Sequence, residues 1–93
     1  MIRPEAEDDL RNTFQWYEQH KKGLGVDFLK CVNAVFVSLT KSALQYPIVY
    51  RNIRRALIRK FPYGIFYICD GQRIVVLAVL HVRRHHRHWH LRN

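Results

Sequence analysis

The apolar residues of this chain change period halfway along, and that change limits what it can fold into. In the first half, Ala6, Leu10, Phe14 and Tyr17 recur at i, i+4, i+8 and i+11, which is one stripe of a helix. Phe28, Leu29, Val32, Val35, Phe36 and Leu39 form a second helical stripe. From Ile53 onward, β-branched and aromatic residues dominate three runs at about 53–59, 64–69 and 73–82, which read as strands. With 93 residues there is room for one core only, so helices and strands belong to one domain spanning residues 1–93.

The punctuation supports this division. Arg3-Pro4-Glu5 reads as a helix start, because proline is tolerated in the first turn and carboxylates there complement the positive end of the helix dipole. The first helix is predicted over about 4–20. Gly23-Leu24-Gly25 breaks the pattern, and a second helix over about 26–45 closes ahead of Pro47, whose predecessor is pushed out of the α region. Two helices joined this tightly make an αα hairpin. Pro62 and Gly64 mark one turn between strands, and Asp70-Gly71 predicts a type I′ turn that pairs the last two strands antiparallel. Strict alternation along the last strand places Ile74, Val76, Ala78, Leu80 and Val82 on one face. Val75, Leu77 and Val79 lie on the other, which turns polar at His81 and Arg83 and so suggests a site at that end.

Sixteen Lys and Arg stand against seven Asp and Glu, a formal charge of +9 that directs the surface toward polyanions: nucleic acid, ribosome, anionic lipid or an acidic protein. The longest apolar run, residues 74–80, is far short of the roughly 20 residues a membrane-spanning helix needs. Cys31 and Cys69 lie inside apolar runs rather than at framework spacing, and no leader-like segment precedes them. A soluble, cytoplasmic protein with no membrane partner and no disulfide is expected.

Two basic clusters stand out. Residues 81–92 hold four arginines, five histidines and Trp89, a set able to grip phosphate and stack on bases, or equally a solvated tail, 83–93, with its indole folded back on the core. Arg51, Arg54, Arg55, Arg59 and Lys60 form the second, and alternation puts Arg55 and Arg59 on one face with Ile53 and Leu57. Protection of a sheet edge by charge explains such a cluster as well as function does. His81 and His85, with His86, His88, His90 and Cys69, lack the Cys-x-x-Cys or His-Glu-x-x-His frame of a metal centre, so neither metal nor other cofactor is expected. No Ser-His-Asp set, phosphate-cradling glycine loop or carboxylate pair is present. Cleavage of RNA without metal needs a base, cations for the phosphate and an acid, roles open to Arg55, Arg59, Arg84 and a tail histidine.

Several segments carry a resemblance: Arg3-Pro4-Glu5-Ala6-Glu7-Asp8-Asp9-Leu10, Trp16-Tyr17-Glu18, Gly23-Leu24-Gly25-Val26-Asp27-Phe28-Leu29, Arg54-Arg55-Ala56-Leu57, Phe61-Pro62-Tyr63-Gly64-Ile65-Phe66-Tyr67 and Val79-Leu80-His81-Val82-Arg83-Arg84. In this order they span nearly the whole chain, which resembles the RelE/ParE superfamily of bacterial toxins. The resemblance implies an α+β fold, an N-terminal αα hairpin packed on a small antiparallel β-sheet, and a toxin of a type II pair neutralised by an acidic antitoxin. Relatives either inhibit DNA gyrase, as ParE does, or cut messenger RNA on the ribosome, as RelE does.

For a RelE-like nuclease, the resemblance places Arg55, Arg59, Arg84 and His90 at catalytic positions. Two of the family's cationic positions fall on Leu57 and Gly64, and each lost cation costs about 2 to 4 kcal/mol of barrier. Those departures turn the expectation toward a ParE-like gyrase inhibitor that arrests growth, with His81, Arg83, Arg84, Arg87 and Trp89 contacting the target. The alternatives are a metal-independent, ribosome-dependent endoribonuclease and an inactive relative that only binds antitoxin. The family also opens with a full strand, of which only Met1 and Ile2 precede Arg3-Pro4 here. A very short or missing first strand would leave an open edge for homodimerisation.

Overall fold

The computed structural model describes residues 1–83. Helix α1 (Pro4–His20) and helix α2 (Leu24–Ser42) form the hairpin, a 3-10 turn (Ala43–Gln45) follows, and four strands complete the fold: β1 (Ile48–Tyr50), β2 (Ile53–Leu57), β3 (Tyr63–Asp70) and β4 (Arg73–His81). The strands pair antiparallel in the order β1-β2-β3-β4. No helix among the described residues is long and apolar enough to cross a membrane.

Helix α1 begins as its sequence indicates, with Pro4 in the first turn, Glu5 and Glu7 beside the N-terminus, and the Arg3 carbonyl accepting from the amides of Ala6 and Glu7. Helix α2 starts two residues before the expected boundary because its cap comes from its neighbour. Gly23 takes a left-handed φ of 90°, and the Glu18 carboxylate of α1 accepts from the amides of Gly23 (2.9 Å) and Gly25 (3.0 Å). The α-helix ends at Ser42 rather than 45, where the chain tightens into the 3-10 turn. Arg54 fixes that turn by donating to the carbonyls of Leu44 (3.1 Å) and Tyr46 (2.6 Å), and the Tyr67 hydroxyl donates to that of Ala43.

Both faces of the sheet are apolar. Ala6, Phe28, Val32, Val35 and Leu39 of the helices pack with Ala56, Ile58, Tyr63, Ile65, Tyr67, Val76 and Val79 of the sheet side. Ile53, Phe66, Val75, Leu77, Ala78 and Leu80 form a second buried cluster on the opposite face. Strict alternation along β4 therefore fails. A bulge against Phe66 and Tyr67 places Leu77 and Ala78 on the same face, so Val79 and His81 join Ile74 and Val76 on the helix side while Leu80 turns away from it. The amide of Val79, on the outer edge of β4, donates to the Asp9 carboxylate of α1 at 2.9 Å.

Three further details differ from the sequence reading. Strand β1, three residues after Pro47, is too short to show a period, and it reverses into β2 through Arg51 at a φ of 51°. The hairpin of β3 and β4 pairs Asp70 with Arg73, so Gly71 and Gln72 are the central residues. Gly71 alone has positive φ (64°), which makes the turn type II′ and not I′. At the N-terminus, Ile2 forms a parallel bridge with Val76 of β4, secured by Arg3 N–H to Val76 O, Val76 N–H to Met1 O and the Met1 ammonium to Ile74 O. A single bridge thus stands where the first strand was expected to be very short or missing, and over 74–76 it occupies part of the outer edge of β4.

Candidate functional site

The end of β4 is held by aromatic packing. The His81 ring meets Tyr63 edge-on, with centroids 5.3 Å apart, and Tyr63 sits against Phe28 (5.6 Å) and Tyr17 (6.1 Å) in the helix-facing core. Nδ1 of His81 accepts from the Arg83 amide at 3.1 Å, so in this arrangement the ring's remaining hydrogen-bonding position is Nε2. The Val82 amide donates to the Pro62 carbonyl at 3.0 Å, which carries the last described residues alongside the turn before β3. The result is a half-buried imidazole packed on Tyr63 at the end of β4, beside the exposed Arg83.

Arg55 lies on the other face. Its stem crosses Gly64: a Cβ built there would stand 3.0 Å from Arg55 Cγ and 3.2 Å from Cδ, and 3.4 Å from the Val82 side chain. Gly64 is therefore where Arg55 passes, which gives a steric reason for a residue without a side chain at a position where the family carries a cation. Nε of Arg55 is buried with no hydrogen-bond partner.

Arg59 lies beyond β2, which ends at Leu57, so the strand alternation that put it on one face with Arg55 does not by itself place it. Arg59 lines a cleft of about 450 Å³ against α2, together with Lys60 and with Lys30. Lys30 was not singled out in the sequence, since it is distant along the chain from Arg59 and stands in no basic run. Of the expected nuclease set, the Arg55 stem lies over Gly64 and Arg59 lines the cleft against α2, while Arg84 and His90 lie outside the described residues. Of the expected target-contact set, His81 and Arg83 adjoin at the strand end, and Arg84, Arg87 and Trp89 lie outside the described residues. Arg54, the neighbour of Arg55 in the basic cluster, serves the fold by clamping the 3-10 turn.

Burial pushes the Tyr67 phenol up to about 12, reinforced by Cys69 nearby and opposed by Arg54. It is hydrogen-bonded as a donor to Ala43 and acts in the core, not at a site. Both cysteines are free thiols.

A helical hairpin laid on one face of a four-stranded antiparallel sheet, with a basic strand end, is an architecture shared with toxins of toxin-antitoxin pairs. A solved structure described as a chromosomal ParDE toxin-antitoxin system from P. aeruginosa superposes with a TM-score of 0.74 at 16% identity, covering 84% of this chain and 88% of that one. The family model described as ParE toxin of type II toxin-antitoxin system, parDE, matches residues 1–86, and the chain belongs to this family. No curated protein matches its sequence.

Proposed function

We propose that this ParE-family toxin arrests bacterial growth by inhibiting DNA gyrase, in the cytoplasm, until an acidic antitoxin neutralises it. The contact surface in this proposal is the end of β4 and the residues after it: His81, Arg83, Arg84, Arg87 and Trp89. The observation that carries the reading is the Arg55 stem lying over Gly64, where a Cβ would stand 3.0 Å from it, so that a further cation of a nuclease set is crowded out at that position. A nuclease needs its cations converged on one phosphate, because stabilisation of a developing charge depends on donors already in place. A protein poison needs only a complementary surface, and a strand end bearing His81 and Arg83 supplies one.

The RelE-like reading, a metal-independent endoribonuclease acting through Arg55, Arg59, Arg84 and His90 with ribosome and messenger RNA as partners, draws support from the unpartnered Nε of Arg55. Supercoiling of relaxed plasmid by purified gyrase, with and without the full-length toxin, separates the two. Inhibition that is lost on replacing Arg83, Arg84 and Arg87 with Glu supports the gyrase reading. Unaffected gyrase, with RNA cleavage abolished by replacing Arg59 and His90 together, supports the other. A protein that inhibits neither and is harmless in cells without antitoxin would be a binding module only.

A further inference from the structure

We infer that the flank of α1 bearing Trp16 and His20, together with the end of β4 beside it, is a binding surface for single-stranded nucleic acid, with a base stacked on the indole and phosphates on Lys21, Lys22 and Arg83. The inference goes beyond the gyrase reading, since it concerns a strand held by the toxin itself.

Two contacts near the N-terminus set helix and strand side by side. Ile2 bridges Val76 in parallel and the Asp9 carboxylate reaches the Val79 amide, so α1 and β4 run in the same direction with Asp9 toward the strand's outer edge. Trp16 and His20 follow Asp9 by seven and eleven residues, which returns both to within about 20° of its direction around the helix. They stand about 10 and about 16 Å further along, while β4 advances about 13 Å from Val79 to Arg83. The indole and the imidazole therefore flank the strand end that carries His81 and Arg83. Trp16 is 46% exposed, yet its ring is held. The His20 ring lies against it with centroids 3.9 Å apart and planes tilted by 30°, and Tyr17 meets it edge-on at 5.1 Å. Nδ1 of His20 donates to the Trp16 carbonyl at 2.7 Å, which leaves Nε2 as that ring's remaining hydrogen-bonding position. An indole fixed by its neighbours loses little freedom when a base stacks on it.

The charge of this end selects the partner. Of the seven acids, Glu5, Glu7, Asp8 and Asp9 lie in the first two turns of α1, and Asp70 closes β3 ahead of the turn into β4, all toward the opposite end. Glu18 is occupied by the amides of Gly23 and Gly25, so Asp27 is the one acid left near the indole. Against it stand Lys21 and Lys22, exposed in the turn after α1, Lys60, which adjoins Leu24 and Phe61, and the exposed Arg83. Cations spread around an aromatic platform match phosphates spaced along a strand whose bases are free to stack. A duplex keeps its bases stacked on one another and offers none to the indole. An acidic peptide would satisfy the cations and leave the indole unused.

The test is fluorescence anisotropy of a labelled oligothymidylate of about 15 nucleotides, long enough for one such site, titrated with the full-length protein at several salt concentrations. A duplex and an oligouridylate of the same length are titrated beside it. The single strand should bind about fivefold tighter than the duplex, or more. Trp16→Ala should weaken it about fivefold or more, while Trp16→Phe, which keeps an aromatic face, should lose less. Lys21→Ala with Lys22→Ala should flatten the dependence of log affinity on log salt by about 1.4, the effect of two phosphate contacts on a single strand. Lys41→Ala, at the far end of α2, should leave affinity and slope unchanged. Binding of either single strand supports the surface, and the tighter of the two identifies the strand as DNA or RNA. Circular dichroism confirms that each variant folds. Should Trp16→Ala fail to fold, the duplex and the lysine variant still decide. Equal binding of the duplex, an unaltered affinity in Trp16→Ala, an unaltered salt slope in the lysine variant, displacement of the strand by polyglutamate at equal charge, or no binding at all overturns the proposal. No gyrase is present in these measurements, so this inference and the gyrase reading fail separately.

Discussion

Replacing Gly25 with alanine tests whether the helical hairpin closes on backbone contact. A Cβ at that position would stand 2.7 Å from the Phe14 carbonyl oxygen, 2.8 Å from Phe14 Cδ1 and 2.9 Å from the Glu18 carboxylate that caps α2. Two of these neighbours can move only with difficulty. The carbonyl is part of α1 itself, and the carboxylate is held by the amides of Gly23 and Gly25. Forcing a methyl group into such a contact costs about 1 to 3 kcal/mol. Displacing a charge-assisted cap costs about 1 to 2 kcal/mol more. Alanine recovers up to about 1 kcal/mol through its higher helix propensity. The balance is a loss of about 2 kcal/mol, or roughly 8 to 16 °C in melting temperature for a domain of this size. Urea and thermal unfolding followed by circular dichroism measure it directly. A Gly25→Ala protein as stable as the parent, or more so, would mean that propensity outweighs contact and would refute the close approach of α1 and α2 at this point.

Other consequences follow from single hydrogen bonds. Asp9→Ala strands the Val79 amide at the outer edge of β4 and should cost about 1 to 3 kcal/mol, while Asp9→Asn, which keeps an acceptor, should lose less; urea midpoints rank the two. Arg54→Ala frees the carbonyls of Leu44 and Tyr46, and hydrogen exchange should accelerate in and around the 3-10 turn well before the core of β3 is affected. Tyr67 holds its proton more tightly folded than unfolded. Its contribution to stability is therefore complete below pH 10, the ordinary tyrosine value, and is lost as pH rises toward 12. Absorbance of tyrosinate should show a late-titrating phenol coinciding with alkaline unfolding, which Tyr67→Phe should remove.

The helices and the last three strands were legible because each has a period or a punctuating residue of its own. Pro4 and the acids after it define one boundary, and the apolar stripes define what faces the sheet. What sequence could not supply was set by contacts distant along the chain. The start of α2 depends on a carboxylate from α1, and the face of His81 depends on a bulge that alternation cannot reveal. The passage of the Arg55 stem over Gly64 depends on the pairing of β2 with β3, which the sequence does not show. Lys30 enters the basic cleft only because α2 passes the end of β2. The basic strand end was visible as composition, but the packing of His81 against Tyr63 became apparent only in the fold.

Protein synthesis from a linear DNA template in a cell-free bacterial system, with purified full-length toxin added, tests the central claim most directly, since a linear template removes most dependence on gyrase. Synthesis should continue with intact messages while the same preparation kills cells lacking antitoxin. An abrupt stop accompanied by cut messages would contradict gyrase as the target and establish ribosome-dependent cleavage in its place.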